Sequence, residues 1–230
     1  MTQYPGVFVT GTDTEIGKTF CSRLLIAALQ QHGLRVAAMK PVASGGEYQQ
    51  GQLVNDDALQ LQQQSGLPLA YELINPYVFE PPIAPHLAAS QAGVRIEREP
   101  ILRAFEQLQR HSDQVIVEGV GGWRVPLNDS FSVSDLPGLL GLPVVLVVGM
   151  RLGCLNHAML TIESIEQQNI PVVGWIANGV DPDFAAQQGN LQTLESRLPV
   201  PCLAQIPYQR TPLAPQQFEQ LVASINISLL

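Results

Sequence analysis

The chain has 230 residues, of which 46% are hydrophobic and 14% are charged, and its formal net charge is −8. This composition predicts one well-packed domain over residues 1–230 and excludes a disordered chain. The negative charge argues against a nucleic-acid-binding or membrane-binding surface, although a nucleotide can still bind in a local cradle. No secretory signal pattern is visible at the N-terminus, and three widely spaced cysteines form no disulfide framework, so we expect a cytoplasmic protein.

The first motif is a glycine-rich loop over residues 11–19, Gly-Thr-Asp-Thr-Glu-Ile-Gly-Lys-Thr. It lies between an apolar, β-branched run at residues 7–10 and a helical pattern over residues 17–32. A strand, a glycine-rich loop and Gly-Lys-Thr at a helix start form a phosphate cradle, because backbone N–H groups and the helix dipole face the anion. Lys18 is placed to reach the terminal phosphates and Thr19 to bind Mg²⁺. Five residues separate Gly11 from Gly17, one more than in the usual motif, which indicates an unusual branch of P-loop protein.

Strands and helices alternate along the rest of the chain. Further strands are predicted at residues 35–39, 114–117, 143–149, 171–177 and 200–206, and a short one at 76–80. Helices are predicted from about residue 58 and at 86–92, 97–111, 151–168, 184–197 and 215–227, while polar residues 47–55 are predicted to form a mobile loop. The run 143–149 is the most apolar and should lie at the centre of the sheet. The pattern predicts an α/β fold with a doubly wound, mainly parallel sheet of P-loop NTPase type and helices on both faces.

Residues that carry chemistry follow the ends of several predicted strands. Lys40 ends the second strand, Glu118 the third, and Asn178 the fifth. Because the carboxyl ends of parallel strands share one edge of a sheet, these residues and Lys18 should form a single site. Two lysines for phosphate and a carboxylate for Mg²⁺ favour ATP-dependent phosphoryl transfer. Asp57 follows Asn55 and Asp56 in a helix-capping pattern, so spacing alone favours a capping role for it.

Eight motifs, in chain order, resemble the dethiobiotin synthetase family of the biotin pathway, a branch of the P-loop NTPases. They are the loop at 11–19, Lys-Pro-Val-Ala-Ser-Gly at 40–45, Asp-Ala-Leu at 57–59, Asn-Pro-Tyr at 75–77, Val-Glu-Gly-Val-Gly-Gly-Trp at 117–123, Leu-Gly-Cys-Leu-Asn-His-Ala at 152–158, Gly-Trp-Ile-Ala-Asn at 174–178 and Ile-Pro-Tyr at 206–208. The resemblance covers nearly the whole chain, and the long loop is this family's own form. Two positions depart from it: Ile83-Ala84 replaces a hydroxyl-bearing pair, and Arg151 stands where lysine is common.

The resemblance implies an Mg²⁺- and ATP-dependent ligase. Its substrates would be 7,8-diaminononanoate, CO₂ or bicarbonate, and ATP, and it would form dethiobiotin through a carbamate and a carbamic–phosphoric anhydride. Lys40 and Lys18 would be catalytic, and Thr19, Asp57 and Glu118 would bind the metal, which promotes Asp57 from cap to ligand. The implied nucleotide contacts are Glu15, Ile16, Gly17, Lys18, Thr19, Phe20, Asp57, Glu118, Gly119, Gly121, Asn178, Gly179, Pro207, Tyr208 and Gln209.

The substrate contacts that the resemblance implies come from two subunits of a homodimer. Thr14 and Ser44 would belong to one subunit, and the partner would hold the substrate carboxylate at a helix N-terminus. That second group is Gly153, Cys154, Leu155 and Asn156. A helix N-terminus suits a carboxylate because of its unpaired N–H groups and its dipole.

Three alternative functions agree less well with the sequence. A cobyrinate amidase-synthase needs a glutaminase domain, for which 230 residues leave no room. A MinD-like nucleotide switch usually carries an additional lysine early in the loop, where this chain has Thr12, Asp13 and Thr14. A binding domain without catalysis is disfavoured by the presence of both lysines and Glu118.

Overall fold

The computed structural model describes residues 4–209 and 213–228. Within these ranges the strands are β1 (Gly6–Gly11), β2 (Val36–Met39), β3 (Val42–Ser44), β4 (Glu47–Gln49), β5 (Gln52–Val54), β6 (Tyr77–Phe79), β7 (Gln114–Glu118), β8 (Pro126–Asn128), β9 (Phe131–Ser132), β10 (Val144–Met150), β11 (Val172–Gly179) and β12 (Cys202–Ile206). The helices are α1 (Lys18–Gln31), α2 (Asp56–Ser65), α3 (Tyr71–Ile74), α4 (Pro85–Gln91), α5 (Arg98–His111), α6 (Leu136–Leu140), α7 (Cys154–Glu166), α8 (Gln187–Arg197) and α9 (Pro215–Ala223). The first three residues of the N-terminal segment, where no secretory pattern was found, lie outside the described residues.

A six-stranded sheet forms the centre of the molecule, in the order β12-β11-β10-β1-β7-β2. Every neighbouring pair is parallel. The order reverses direction between β1 and β10, which is the topology of a doubly wound sheet. The prediction of such a sheet is confirmed, and β10, the most apolar strand, is one of its central strands with all of its residues buried.

Helices cover both faces of this sheet, as predicted. On one face, Leu24 and Leu25 of α1 pack with Val145 and Val147 of β10. On the other face, Leu146 of β10 lies in a cluster with residues of α7 and α8. Successive side chains of a strand point to opposite faces, so an unbroken apolar run such as β10 is the pattern expected for a strand buried on both sides.

Most predicted elements are present with slightly different ends, but the prediction for residues 47–55 is wrong. Residues 47–54 form the antiparallel hairpin β4–β5 in place of a loop, and Asn55 belongs to the start of α2. Gln50 and Gly51, the two residues of its turn, both have positive φ, as in a type I′ hairpin turn. Sequence reasoning also missed β3, α3, α6 and the β8–β9 hairpin, and it extended the C-terminal helix beyond its observed end at Ala223.

No helix within residues 4–209 and 213–228 is long and apolar enough to cross a membrane.

Candidate active site

A cavity of about 870 Å³ opens at the carboxyl edge of the central sheet. Its walls come from the glycine-rich loop, the segment after β2, the start of α2 and the end of β7. The residues predicted from sequence that line it are Thr14, Glu15, Gly17, Lys18, Thr19, Phe20, Lys40, Ser44, Asp57, Glu118 and Gly121. The fold therefore brings together, in one cavity, residues that are separated by more than a hundred positions in the chain, such as Thr14 and Gly121.

The glycine-rich loop depends on two glycines for its path. Gly17 has φ of +82°, and a Cβ there would lie 2.2 Å from Nδ2 of Asn178. At Gly11 a Cβ would lie 2.6 Å from Cδ1 of Ile16. Helix α1 starts directly after Gly17 without a side-chain cap, so its first N–H groups remain available to a ligand at the cavity.

Three side chains from distant parts of the chain meet around the ammonium of Lys40. Its Nζ lies 2.5 Å from Oε1 of Glu118 and 2.8 Å from Oδ2 of Asp57. The Thr19 hydroxyl donates to the same Glu118 oxygen over 2.9 Å. The Lys40 and Glu118 residues are 3% and 0% exposed. A charge buried to this degree is stable only when it is paired, so the cluster acts as a unit.

Burial and charge act in opposite directions on the pKa values of this cluster. Burial by itself lowers the pKa of Lys40, but the carboxylates of Glu118 and Asp57 outweigh it and hold that pKa above its usual value. For Asp57, burial by itself raises the pKa. The charge and hydrogen bond of Lys40 act in the opposite direction and are part of the larger effect, so the pKa of Asp57 lies below its usual value. Lys40 and Asp57 are therefore both charged at neutral pH.

Lys18 lies in a different electrostatic setting. Its Nζ donates to the backbone oxygen of Asp13 over 2.7 Å, and among the described residues no carboxylate lies within ion-pair distance of it. Burial, and then the nearby charge of Lys40, lower the pKa of Lys18 to about 8. A poorly solvated ammonium without an ion-pair partner is well suited to receive an anion.

The oxygen atoms around Glu118 fit a magnesium ion. Oε2 of Glu118 is buried and lacks a hydrogen-bond partner, and the oxygens of Thr19 and Asp57 lie in the same cluster. Among the described residues, no group of three or more His, Cys, Asp or Glu side chains could hold a metal. Mg²⁺ needs no such cage, because it prefers oxygen and is commonly bound by one or two carboxylates, waters and substrate phosphates.

The residues predicted for the nucleotide base lie at the same edge of the sheet but outside the cavity lining. Nδ2 of Asn178 donates to the backbone oxygen of Ile16 over 2.8 Å, so this amide also supports the loop. A Cβ at Gly179 would lie 2.5 Å from the backbone nitrogen of Tyr208. Pro207 lines a second cavity of about 410 Å³, Tyr208 is 42% exposed, and Nε2 of Gln209 donates to the backbone oxygen of Pro207.

Gly119 is not among the residues that line the cavity. A Cβ at this position would lie 3.1 Å from the ring of Phe8. The residues predicted to hold the substrate carboxylate also lie outside it. Gly153 is the N-cap of α7, with φ of +96°, and it is exposed together with Asn156, whereas Cys154 is buried and Leu155 half-buried. The roles of these residues stay predictions.

Sequence reasoning missed several residues that shape the site. Asp13 accepts the Lys18 ammonium on its backbone oxygen, the Thr14 N–H on Oδ1, and an ion pair from Arg151 on Oδ2. Asn75 donates to the backbone oxygen of Lys40 over 2.6 Å. The Asn-Pro-Tyr motif marked Asn75, but its contact with Lys40 spans 35 positions, and no local pattern indicates it.

Asn55, and neither aspartate, is the cap of α2, because its Oδ1 accepts from the Ala58 N–H. The capping role that spacing favoured for Asp57 is therefore wrong, and its side chain is bonded to Lys40.

Known proteins match this chain over most of its length. A family model described as an AAA domain matches residues 5–216. The chain is 53% identical over 204 residues to an ATP-dependent dethiobiotin synthetase, BioD, of Pseudomonas paraeruginosa, covering 88% of this chain and 90% of that protein. It is 47% identical over 208 residues to the protein of the same name in Aromatoleum aromaticum, covering 90% of this chain and 92% of that one.

Among solved structures, the MinC:MinD cell division protein complex of Aquifex aeolicus is similar with a TM-score of 0.54, over 96% of this chain and 87% of that one. At 13% sequence identity this likeness shows a shared fold alone.

Proposed function

Because the chain belongs to the dethiobiotin synthetase family and is therefore an ATP-dependent cyclo-ligase of biotin biosynthesis, we propose that the cavity beside the glycine-rich loop is its active site. The observation that carries this assignment is the cluster of buried Lys40 and Glu118 with half-buried Asp57 and Thr19, which lines the same cavity as the loop. The substrates are ATP and 7,8-diaminononanoate, and CO₂ is the one-carbon donor.

The reaction needs a carboxylate equivalent to be made from an amine and then activated. One amine of the substrate attacks CO₂ and loses a proton, which gives a carbamate whose oxygen attacks the γ-phosphate of ATP and displaces ADP. The second amine closes the ring on the resulting carbamic–phosphoric anhydride and expels phosphate. Each anionic species requires a positive group fixed nearby before the reaction starts, since preorganised charge in a water-poor site lowers the barrier most.

Lys18 and Lys40 supply that charge. Lys18, which has a lowered pKa and no ion-pair partner among the described residues, holds the terminal phosphates together with the first N–H groups of α1. Lys40 lies deeper in the cavity and holds the carbamate and the transferring phosphoryl group. Thr14 and Ser44 line the same cavity and contact the diamine. The buried Oγ of Ser44 has no hydrogen-bond partner among the described residues, so it can bond to the substrate.

Thr19, Asp57 and Glu118 would hold Mg²⁺, with the bare Oε2 of Glu118 as one ligand. The metal would neutralise charge on the phosphates of ATP when it is bound. Asn178 would read the adenine base through the amide oxygen, since its nitrogen already donates to Ile16. Glu15, Phe20, Pro207, Tyr208 and Gln209 would complete the nucleotide site.

The active enzyme would be a homodimer, in which residues 153–156 of the partner hold the substrate carboxylate. Gly153 and Asn156 are exposed at the start of α7, outside the cavity of their own chain, which supports this arrangement. Residues 1–230 would act as one domain in the cytoplasm, in keeping with three cysteines that form no disulfide.

The purified protein should form dethiobiotin and release phosphate when it is given Mg²⁺, ATP, 7,8-diaminononanoate and bicarbonate. Phosphate release that does not depend on the diamine would refute the active-site proposal. Lys40→Gln should lower turnover at least about 10²-fold, because it removes a charge that stabilises the transition state. Arg103→Gln, on the exposed surface of α5, is the control and should keep full turnover. Equal turnover in both variants would remove Lys40 from the mechanism.

A further inference from the structure

The ammonium of Lys40 lies between two side chains that are proposed as metal ligands. It contacts Oε1 of Glu118 at 2.5 Å and Oδ2 of Asp57 at 2.8 Å. The third proposed ligand, Thr19, donates to the same Glu118 oxygen. Lys40 thus occupies one oxygen of Glu118 and one of Asp57, and the Thr19 hydroxyl shares that Glu118 oxygen, whereas Oε2 of Glu118 takes no hydrogen bond from the described residues.

A lysine and a magnesium ion cannot both hold these oxygens in the same way. Mg²⁺ requires oxygen atoms at about 2.0–2.1 Å in near-octahedral geometry, and it tolerates little distortion. An ammonium in hydrogen-bond contact with both carboxylates fills the space between them. Two cations so close together in a buried site also repel each other strongly, because little water is present to screen them.

Hydrogen bonds hold the main chain of Lys40 in place, whereas its side chain is held at the ammonium by the two carboxylates. The backbone nitrogen donates to the oxygen of Ile74 over 2.7 Å, and the backbone oxygen accepts from Asn75 over 2.6 Å. A lysine side chain has a flexible four-carbon stem, and this one lines the cavity. Rotation of that stem can therefore move the ammonium toward a ligand in the cavity without any change in the fold.

The unpaired oxygen of Glu118 indicates that the observed arrangement is incomplete. Glu118 is 0% exposed, yet its Oε2 lacks a partner while Oε1 takes two hydrogen bonds. A buried carboxylate oxygen without a partner is costly, and proteins rarely keep one unless a ligand completes it. A second state, in which another cation engages Glu118, would remove this cost.

We propose that Lys40 and the divalent cation compete for the carboxylates of Glu118 and Asp57. In the nucleotide-free protein the ammonium closes the metal site, and arrival of the metal releases it toward the substrates. This inference rests on the proposed function, since it takes Thr19, Asp57 and Glu118 as metal ligands. It assigns to Lys40 a second role, in which the residue that acts on the substrates becomes available when the metal is bound.

The test measures binding of Mn²⁺ to the full chain without nucleotide, by electron paramagnetic resonance at pH 8. Lys40→Met should bind Mn²⁺ at least about tenfold more tightly than the wild type, because a positive charge in contact with two ligands is gone. Lys40→Gln, which keeps a hydrogen-bond donor but no charge, should also bind more tightly and serves if the first variant does not fold.

Lys18→Met is the matched control, because Lys18 lines the same cavity but contacts a backbone oxygen and neither carboxylate. Its affinity for Mn²⁺ should change less than about threefold, as expected for a charge that acts only from a distance. Unchanged or weaker binding by both Lys40 variants would overturn the proposal, and so would equal tightening in Lys18→Met. No substrate is present, so this result is independent of whether the protein forms dethiobiotin.

Discussion

The two lysines of the active site should have opposite effects on the stability of the free protein. Lys18 is only 7% exposed, and its pKa is lowered from 10.5 to about 8. A lowering of about 2.5 corresponds to about 3 kcal/mol by which the charged form is disfavoured on folding, at about 1.4 kcal/mol for each pKa unit. Lys18→Met removes this charge and also the hydrogen bond to Asp13, which contributes about 1 kcal/mol. We therefore expect the variant to be about 1–3 kcal/mol more stable than the wild type at pH 7.

The effect should depend on pH in a defined direction. The folded chain loses the Lys18 proton near pH 8, whereas the unfolded chain keeps it until about pH 10.5. The unfolded state thus binds more protons between these values, so Lys18 makes the free energy of unfolding of the wild type rise with pH in this window. The advantage of Lys18→Met should shrink by about 2 kcal/mol between pH 7 and pH 9.5.

Urea unfolding at pH 7 and pH 9.5, at one protein concentration, measures both numbers. Burial raises the pKa of the Cys21, Cys154 and Cys202 thiols, which lowers stability at alkaline pH. They do so in both proteins alike, so the difference between variant and wild type isolates Lys18. Lys40→Met should act in the opposite direction and cost about 3–5 kcal/mol at pH 7, because it leaves the buried carboxylate of Glu118 unpaired. A destabilised Lys18→Met, or a difference that is equal at both pH values, would refute the reasoning.

Three further predictions concern ligand binding. ATP should bind most tightly below pH 8 and about tenfold more weakly at pH 9, because phosphate selects the ammonium form of Lys18, whose pKa in the free protein is about 8; calorimetry that finds equal affinity at both pH values would contradict this. Glu118→Gln should raise the Mg²⁺ concentration needed for half-maximal turnover at least about tenfold, since it replaces an anionic ligand, whereas the exposed Glu106→Gln on α5 should leave the Mg²⁺ titration unchanged. Gly17→Ala should abolish measurable nucleotide binding, because a Cβ at this position would lie 2.2 Å from Nδ2 of Asn178. Gly33 is the matched control, since it has the same φ of +82° but no described atom within 4 Å of a Cβ, so Gly33→Ala should only lose about 1 kcal/mol of stability. Similar ATP affinity in the two variants would show that the contact with Asn178 does not matter.

The glycine-rich loop and the strands of the central sheet were predictable because their signals are local. A strand, a glycine turn and a helix start are encoded within about fifteen neighbouring residues, and β10 is apolar along its whole length. The hairpin at residues 47–54 was not predicted, because its own residues give no strand or turn signal. Its side chains are mostly polar and exposed, so no alternation marks it, and its turn places Gln50, a residue that is not glycine, at positive φ.

Asp57 illustrates what neighbouring residues cannot reveal. From spacing it is a capping residue of α2, but the structure assigns the cap to Asn55 and brings the Asp57 carboxylate to the ammonium of Lys40, 17 positions away. The bond between Lys40 and Glu118 spans 78 positions. Contacts of this kind depend on how separate strands and helices pack, so they cannot be predicted from the residues next to each partner in the sequence.

Fold and function were decided at different levels. The tertiary structure shares its fold with a MinD complex at 13% identity, so the fold by itself does not choose between a ligase and a nucleotide switch. The sequence does choose, since its motifs resemble one family throughout and its relatives are about half identical over nearly the whole chain.

The amino-acid sequence alone identified the family and the phosphate-binding loop, because both can be recognised from motifs of contiguous residues. Only the tertiary structure decided that Lys40 contacts two carboxylates while Lys18, among the described residues, has none within ion-pair distance, because the charge around a side chain is set by the groups that packing places beside it.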